Sequence, residues 1–219
     1  MAAMKIGVLG TGMVGQAIAS RLVDLGHEVV MGGREATNPK AVGWAADRLR
    51  GRAGTFADAA AHAELVVNAT AGVASLAVLS SAGGSAILDG KVLIDVANPL
   101  DFSNGMPPRL SVANTDSLGE QIQRAYPAVR VVKTLNTVNA NIMVEPRLLP
   151  GPHAMFIAGD DAGAKELTTG LLHEFGWPPE SIIDLGGIQA ARGMEMYLPL
   201  WLSIMGAQQT VNFNINVVR

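Results

Sequence analysis

The sequence predicts an α/β fold, a doubly wound and mainly parallel sheet, and three observations carry that prediction. Short, largely apolar runs of the kind buried on both faces of a parallel sheet recur at residues 6–9, 29–31, 65–70, 92–96 and 129–135. Stretches with apolar residues at helical spacing separate them. Four strand ends, at Gly10, Thr70, Asn98 and Asn136, carry small or amide residues. They read as one crevice, because ligands of open parallel sheets sit outside the carboxyl ends of the strands. Residues 1–150 account for this unit, and residues 151–219 are expected to form a small C-terminal α/β extension ending in an apolar helix.

Residues 5–34 read as strand, glycine turn, helix and second strand. Gly10-Thr11-Gly12-Met13-Val14-Gly15 follows the first strand at once. In such a motif the first glycine permits the tight turn, the second lets the backbone approach a pyrophosphate, and the third lets the helix pack closely on the strand. The helix N-terminus, with its unpaired N–H groups and positive dipole end, holds the anion, and the Thr11 hydroxyl adds a donor. Val14, Ile18, Leu22 and Leu25 give the helix one apolar face, Gly26 stops it, and residues 28–31 form the next strand. That context separates a Rossmann-type dinucleotide site from an ordinary glycine turn. After the second strand an NAD enzyme places a carboxylate on the ribose hydroxyls; here Gly32-Gly33-Arg34 stands instead. A guanidinium pairs with a 2′-phosphate in bidentate fashion, so NADP(H) is the expected cofactor. Thr37, Asn38 and Lys40 in the same loop are further candidate donors, although Lys40 reads equally well as a solvated surface charge.

Residues 41–50 read as a helix offering Val42, Trp44, Ala45 and Leu49 for burial, residues 55–56 as a short strand and 57–63 as a short helix, with His62 on the surface. The strand at 65–70 ends in Thr70-Ala71-Gly72, small residues that leave space for a nicotinamide ribose or simply form a turn. The strand at 92–96 runs into Asn98-Pro99, where proline stops it and fixes the backbone. The loop at 100–116 is long for a compact domain, which marks it as functional or disordered. Ser117-x-x-Glu120 has the form of a capping box for a helix through Arg124 that Pro127 ends, and the strand at 129–135 delivers Asn136-Thr137. Beyond it come a strand at 155–158, Asp160 and Asp161 as N-cap carboxylates for a helix at 162–175, and a last strand at 181–185. From Ile188 the chain is apolar and rich in methionine. Its run from Met194 to Met205 leaves core packing, a pocket lid and a partner helix open, and a two-fold homodimer using part of it is the expectation.

The composition narrows the class. In a chain of 219 residues, 49% hydrophobic and 16% charged with a formal charge of −3, nothing suggests a surface for nucleic acid or anionic membranes. It contains no cysteine, which removes disulfides, thiolate nucleophiles and cysteine-ligated metals together. Its histidines, at 27, 62, 153 and 173, lack metal-ligand spacing. The N-terminus leads straight into the first strand without a signal peptide, so a cytoplasmic location is expected. No apolar run reaches the ~18 residues of a membrane span.

Val131-Val132-Lys133-Thr134-Leu135-Asn136-Thr137-Val138, taken with GTGMVG, GGR, Asn98-Pro99 and the later AGDDAGAKEL, resembles the coenzyme F420-dependent NADP oxidoreductase family. It is also similar to the cytosolic NADPH-binding domain of the six-transmembrane metalloreductases. The resemblance spans residues 5–206. It implies that the Asn136-Thr137 turn lies near the nicotinamide and that the Asn98-Pro99 loop lies against a flavin-like acceptor. The chain departs from the family pattern at Gly33, where relatives often carry serine, and at Thr70-Ala71-Gly72, where the deazaflavin enzymes carry a Pro-Trp pair. The function this implies is hydride transfer between NADP(H) and coenzyme F420. The alternatives are a flavin (FMN or FAD) or metal reductase and a non-enzymatic NADPH-binding redox sensor. Hydride transfer between stacked rings asks for geometry rather than proton donors, and no catalytic residue can be read from the chain. Imine reductases and small dehydrogenases share the glycine motif but need a longer helical substrate domain than residues 151–219 provide.

Overall fold

The structure, a computed structural model, describes residues 2–218. In chain order β1 (Lys5–Leu9) leads through the glycine turn to α1 (Met13–Asp24), and β2 (Glu28–Gly33) to α2 (Pro39–Ala45). There follow β3 (Gly51–Thr55), α3 (Phe56–His62), β4 (Leu65–Asn68), α4 (Ser75–Ser81), α5 (Ser85–Leu88) and β5 (Val92–Asp95). A two-strand hairpin, β6 (Leu100–Asp101) and β7 (Arg109–Leu110), precedes α6 (Leu118–Ala125), β8 (Arg130–Thr134), α7 (Ala140–Val144), β9 (Met155–Ala158) and α8 (Ala162–Phe175). The chain closes with β10 (Ile182–Asp184), α9 (Ala191–Met196) and α10 (Leu198–Gln208).

Eight strands form one sheet in the order β10-β9-β8-β5-β4-β1-β2-β3. Every pairing is parallel except β8 with β9. The chain winds outward from β1 through β2 to β3, then returns to β4 on the other side of β1, so the strand order reverses between β1 and β4. Strand alternation sends Ile6 and Val8 to one face, where they pack with Ile18 and Leu22 of α1 and Leu171, Leu172 and Phe175 of α8. Leu9, Val66, Leu93 and Val131 go to the other face, against Ala59 and Ala60 of α3, Leu79 of α4 and Ile122 of α6. Residues 151–218 add β9 and β10 to this same sheet; α9 then packs against α6, and α10 against α9.

Several boundaries differ from the sequence expectation, each for a local reason. The helix expected at 41–50 begins at Pro39, because Asn38 accepts from the Lys40 and Ala41 N–H groups, and it ends at Ala45. The chain then turns so that Gly51 starts β3 against the Trp44 ring, where an added β-carbon would lie 2.8 Å from the ring edge. Val42 and Leu49 are consequently exposed, and Trp44 and Ala41 carry the burial. Thr55 ends β3 and Phe56 already belongs to α3, since Thr55 and Asp58 cap that helix reciprocally. At α6 only half of the expected capping box forms. Ser117 Oγ accepts from the Glu120 N–H at 3.1 Å, but the Glu120 carboxylate pairs with Arg192 of α9. Asp161 alone caps α8; Asp160 accepts from the Ile188 N–H at 2.9 Å and so ties β9 to the segment before α9.

Candidate functional site

The glycine turn is shaped first by the protein's own backbone. Gly10 has φ +119°, and a β-carbon there would lie 2.4 Å from the Ala69 carbonyl oxygen at the end of β4. A β-carbon on Gly15 would lie 2.1 Å from the Gly10 carbonyl oxygen. Gly12 differs: it is exposed, and nothing lies within 4 Å of where its β-carbon would be. The open face of the turn is therefore at Gly12, beside Thr11 and the first residues of α1, Met13 and Val14. Gly33 at the end of β2 borders the same turn. Its β-carbon would sit 3.4 Å from Thr11 Cγ2 and 3.1 Å from Asn38 Cβ. Arg34, Thr37 and Lys40 follow as exposed side chains, and Asn38 is half-buried with its amide oxygen committed to capping α2.

A cavity of about 680 Å³ opens beyond the carboxyl ends of β1, β4, β5 and β8. It brings together Met13, Val14, Thr70, Ala71, Gly72, Asn98, Asn136 and Thr137 from the sequence-derived set. Gly10, Thr11, Gly12, Gly15 and the loop from Gly33 to Lys40 lie off it, forming a band that runs away from Met13. Pro99 lines a smaller hollow on the far side of Gly72. Gly72 is small for a packing reason, since its β-carbon would lie 2.1 Å from the Asn98 carbonyl oxygen. The space expected from the Thr70-Ala71-Gly72 turn comes from Ala71, which is exposed on the rim.

Two strand-end amides fix the floor. Asn98 Nδ2 donates to the Asn136 carbonyl at 2.9 Å, and Asn136 Nδ2 donates to Asn98 Oδ1 at 2.9 Å and to the Met194 carbonyl at 3.1 Å. Leu135 reaches this turn with φ +63°, a left-handed conformation that costs a residue with a β-carbon about 1–2 kcal/mol. Asn136 Oδ1 and the Thr137 hydroxyl are buried without a partner among the described residues. Buried polar atoms are nearly always paired, so these two leave hydrogen-bonding capacity unmet at the cavity floor. Asp101 is the one titratable side chain on the described cavity wall. Hydrogen bonds from the Ser103 N–H and hydroxyl hold its pKa below the usual carboxylate range.

For the remaining wall the sequence left several roles open, a pocket lid among them for residues 194–205. Leu198 and Trp201 of α10, Val211 of the tail and Phe102 of the hairpin close the cavity on one side, with Trp201 stacked on Phe213 at 5.2 Å between ring centres. Apolar character was visible at these positions, but nothing in the spacing tied Leu198, Trp201 and Val211 to strand ends formed far earlier in the chain. Lys133 is a second such case. A lysine inside an apolar strand signals a buried charge, and the structure supplies its partners, Asp95 and Glu195, each at 2.8 Å. Among the described residues no helix is long and apolar enough to cross a membrane, and no cluster of side chains could hold a metal ion.

Comparison with known proteins agrees with this architecture. Residues 5–99 match the model of the family described as NADP oxidoreductase, coenzyme F420-dependent. The chain is 31% identical over 228 residues to the F420-dependent NADP reductase of Methanothermobacter marburgensis, covering 98% of each protein. It is 29% identical over 204 residues to metalloreductase STEAP3 of Rattus norvegicus, covering 91% of this chain but 38% of that longer protein. A solved structure from Arthrobacter sp. FB24, of a protein put forward as an F420-dependent NADP reductase, superposes with a TM-score of 0.93 at 50% identity and covers 99% of this chain and 100% of that one. An imine reductase from Aspergillus terreus superposes with a TM-score of 0.66 at 18% identity, covering 95% of this chain and 63% of that one, a likeness of fold alone. The chain is an NADP-dependent oxidoreductase and belongs to the coenzyme F420-dependent NADP oxidoreductase family.

Proposed function

We propose that the protein transfers a hydride between NADP(H) and a deazaflavin of the coenzyme F420 type bound in the crevice. The observation that carries this reading is the cavity itself. It is a largely apolar slot at the topological switch point, with unpartnered Asn136 and Thr137 polar atoms on its floor and no side chain poised to move a proton. The residues present fit a dinucleotide. The open face at Gly12 and the N-terminus of α1 hold the pyrophosphate, with Gly10 and Gly15 shaping the turn and Thr11, Met13 and Val14 bordering it. Arg34 holds the 2′-phosphate, with Thr37, Asn38 and Lys40 beside it. Thr70, Ala71 and Gly72 border the nicotinamide riboside, and Asn136 and Thr137 hold its ring. Asn98, Pro99 and the wall of Leu198, Trp201 and Val211 receive the acceptor, so residues 1–150 bind the cofactor and residues 151–219 complete the acceptor pocket. When bound, the nicotinamide supplies the hydride chemistry. The protein orients two flat rings and keeps water from between them.

An ordinary flavin acceptor is the second reading, supported by the absence of a Pro-Trp pair at Thr70-Ala71-Gly72. Mixing the protein anaerobically with NADPH and each of F420, FMN and FAD, and following nicotinamide absorbance, separates the two. Consumption with F420 alone supports the first reading, and with FMN or FAD alone the second. Loss of absorbance with none of them would leave a binding protein.

Arg34→Ala is expected to weaken NADPH binding by about 1–3 kcal/mol, the scale of a charge-assisted hydrogen bond, and to leave NADH nearly unchanged. Calorimetry on the parent protein checks the premise, and equal affinities for the two nucleotides would remove it. We also propose a homodimer that covers α10. Leu200 is 56% exposed on that helix and Met196 37% exposed just before it, an apolar surface suited to a second copy. Light scattering at micromolar concentration should give twice the chain mass; a monomer mass would count against it.

A further inference from the structure

A buried line of polar side chains connects α9 to the crevice, and its protons can be assigned one by one. Lys133 is fully buried in β8, and its ammonium donates to Asp95 Oδ2 at 2.8 Å, to Glu195 Oε1 at 2.8 Å and to the Ala97 carbonyl. Burial alone would lower its pKa, but the Asp95 and Glu195 carboxylates outweigh burial and hold it above the ordinary lysine value. Asp95 Oδ1 faces Asn68 Nδ2 at 2.8 Å. A carboxylate has no proton to give, so the NH2 end of Asn68 must face Asp95. The second proton of that NH2 goes to Ser75 Oγ at 3.0 Å, which leaves Asn68 Oδ1 as an acceptor 2.7 Å from Thr70 Oγ1. An amide oxygen cannot donate, so Thr70 donates to it. The Ser75 and Thr70 hydroxyls lie 3.0 Å apart, and with the single Thr70 proton already spent, Ser75 donates to Thr70. Thr70, half-buried in the crevice wall, keeps no proton for the crevice.

We propose that Lys133, Asp95 and Asn68 are positioning residues that make the Thr70 hydroxyl a fixed hydrogen-bond acceptor, and that the bound molecule meets it with a donor on its ribosyl-nicotinamide half. Either the carboxamide NH2 or a ribose hydroxyl supplies that donor. The inference rests on the reading of the crevice as an NADP(H) site. It adds that the wall at Thr70 has one polarity, set from inside the protein by a lysine that touches no ligand.

Neutron diffraction from crystals grown with NADP⁺ and exchanged into D₂O reads each proton directly. The Thr70 deuteron should point to Asn68, the Ser75 deuteron to Thr70, and a ligand deuteron to Thr70, its carrier naming the amide or the ribose as the source. In parallel calorimetry, Thr70→Val should bind NADP⁺ about tenfold more weakly, the scale of one hydrogen bond, and Thr70→Ser should restore affinity to within about twofold. A Thr70 deuteron aimed at the ligand overturns the proposal, as does a Thr70→Val variant with unchanged affinity. A network that only braces the fold would place no ligand deuteron at Thr70. If the parent protein bound no NADP⁺, the cofactor reading would fall and the ligand contact with it, while crystals without ligand would still show which way the Thr70 proton points.

Discussion

Lys133→Met is expected to lower the free energy of unfolding by about 3–5 kcal/mol, the cost of removing one partner from a buried charge cluster. The side chain has no solvent exposure, and its three protons each have an acceptor. Without the ammonium, Asp95 and Glu195 face each other across a dry interior. Burial already pushes the Glu195 carboxyl above the ordinary range, and loss of the cation pushes it further. Lys133→Arg should not rescue the fold, because a planar guanidinium directs its donors differently and needs volume that a fully buried site lacks. Urea unfolding followed by circular dichroism checks both variants. A midpoint unchanged from the parent would mean that the pair contributes nothing to stability.

Ala71→Phe should reduce turnover by about two orders of magnitude, since displacements near 1 Å between reacting groups cost on that scale. Ala71 stands on the crevice rim, away from Gly12 and Arg34, so the variant should keep NADPH affinity within a few-fold. Steady-state kinetics and calorimetry on the same preparation separate the two quantities. His153→Ala and His173→Ala are the controls. His153 bonds the Pro146 carbonyl and Asn214, His173 bonds the Trp177 carbonyl, and neither is on the cavity wall. A control variant that lost turnover while still binding NADPH would require an acid-base mechanism in place of ring stacking.

The central parallel strands β1, β2, β4, β5 and β8 were legible because they are buried on both faces and read as largely apolar runs, whereas β3, GRAGT and partly exposed, was expected only at 55–56. The glycine turn was legible because two of its glycines answer to backbone contacts that recur wherever a strand meets a helix this closely. What stayed hidden depended on partners remote in sequence. Glu120 looks like half of a capping box until Arg192 of α9 takes its carboxylate. Asp160 and Asp161 look equivalent until the chain returns with Ile188 to claim one of them. The apolar run at 194–205 gives no periodicity from which to say that Leu198 and Trp201 meet the ends of strands formed far earlier in the chain. Local spacing specifies local capping and burial; it does not say which distant element completes a site.

Within the glycine turn, position 12 is free in a way that positions 10 and 15 are not. A side chain at Gly10 or Gly15 collides with the protein's own carbonyls, whereas one at Gly12 meets empty space. Selection for folding therefore acts on Gly10 and Gly15 in any descendant of this chain, and under the proposed function selection for nucleotide binding acts on Gly12. A lineage that gave up its cofactor would drift first at position 12 while its fold persisted, so the residue found there in a descendant records whether the ancestral ligand is still in use.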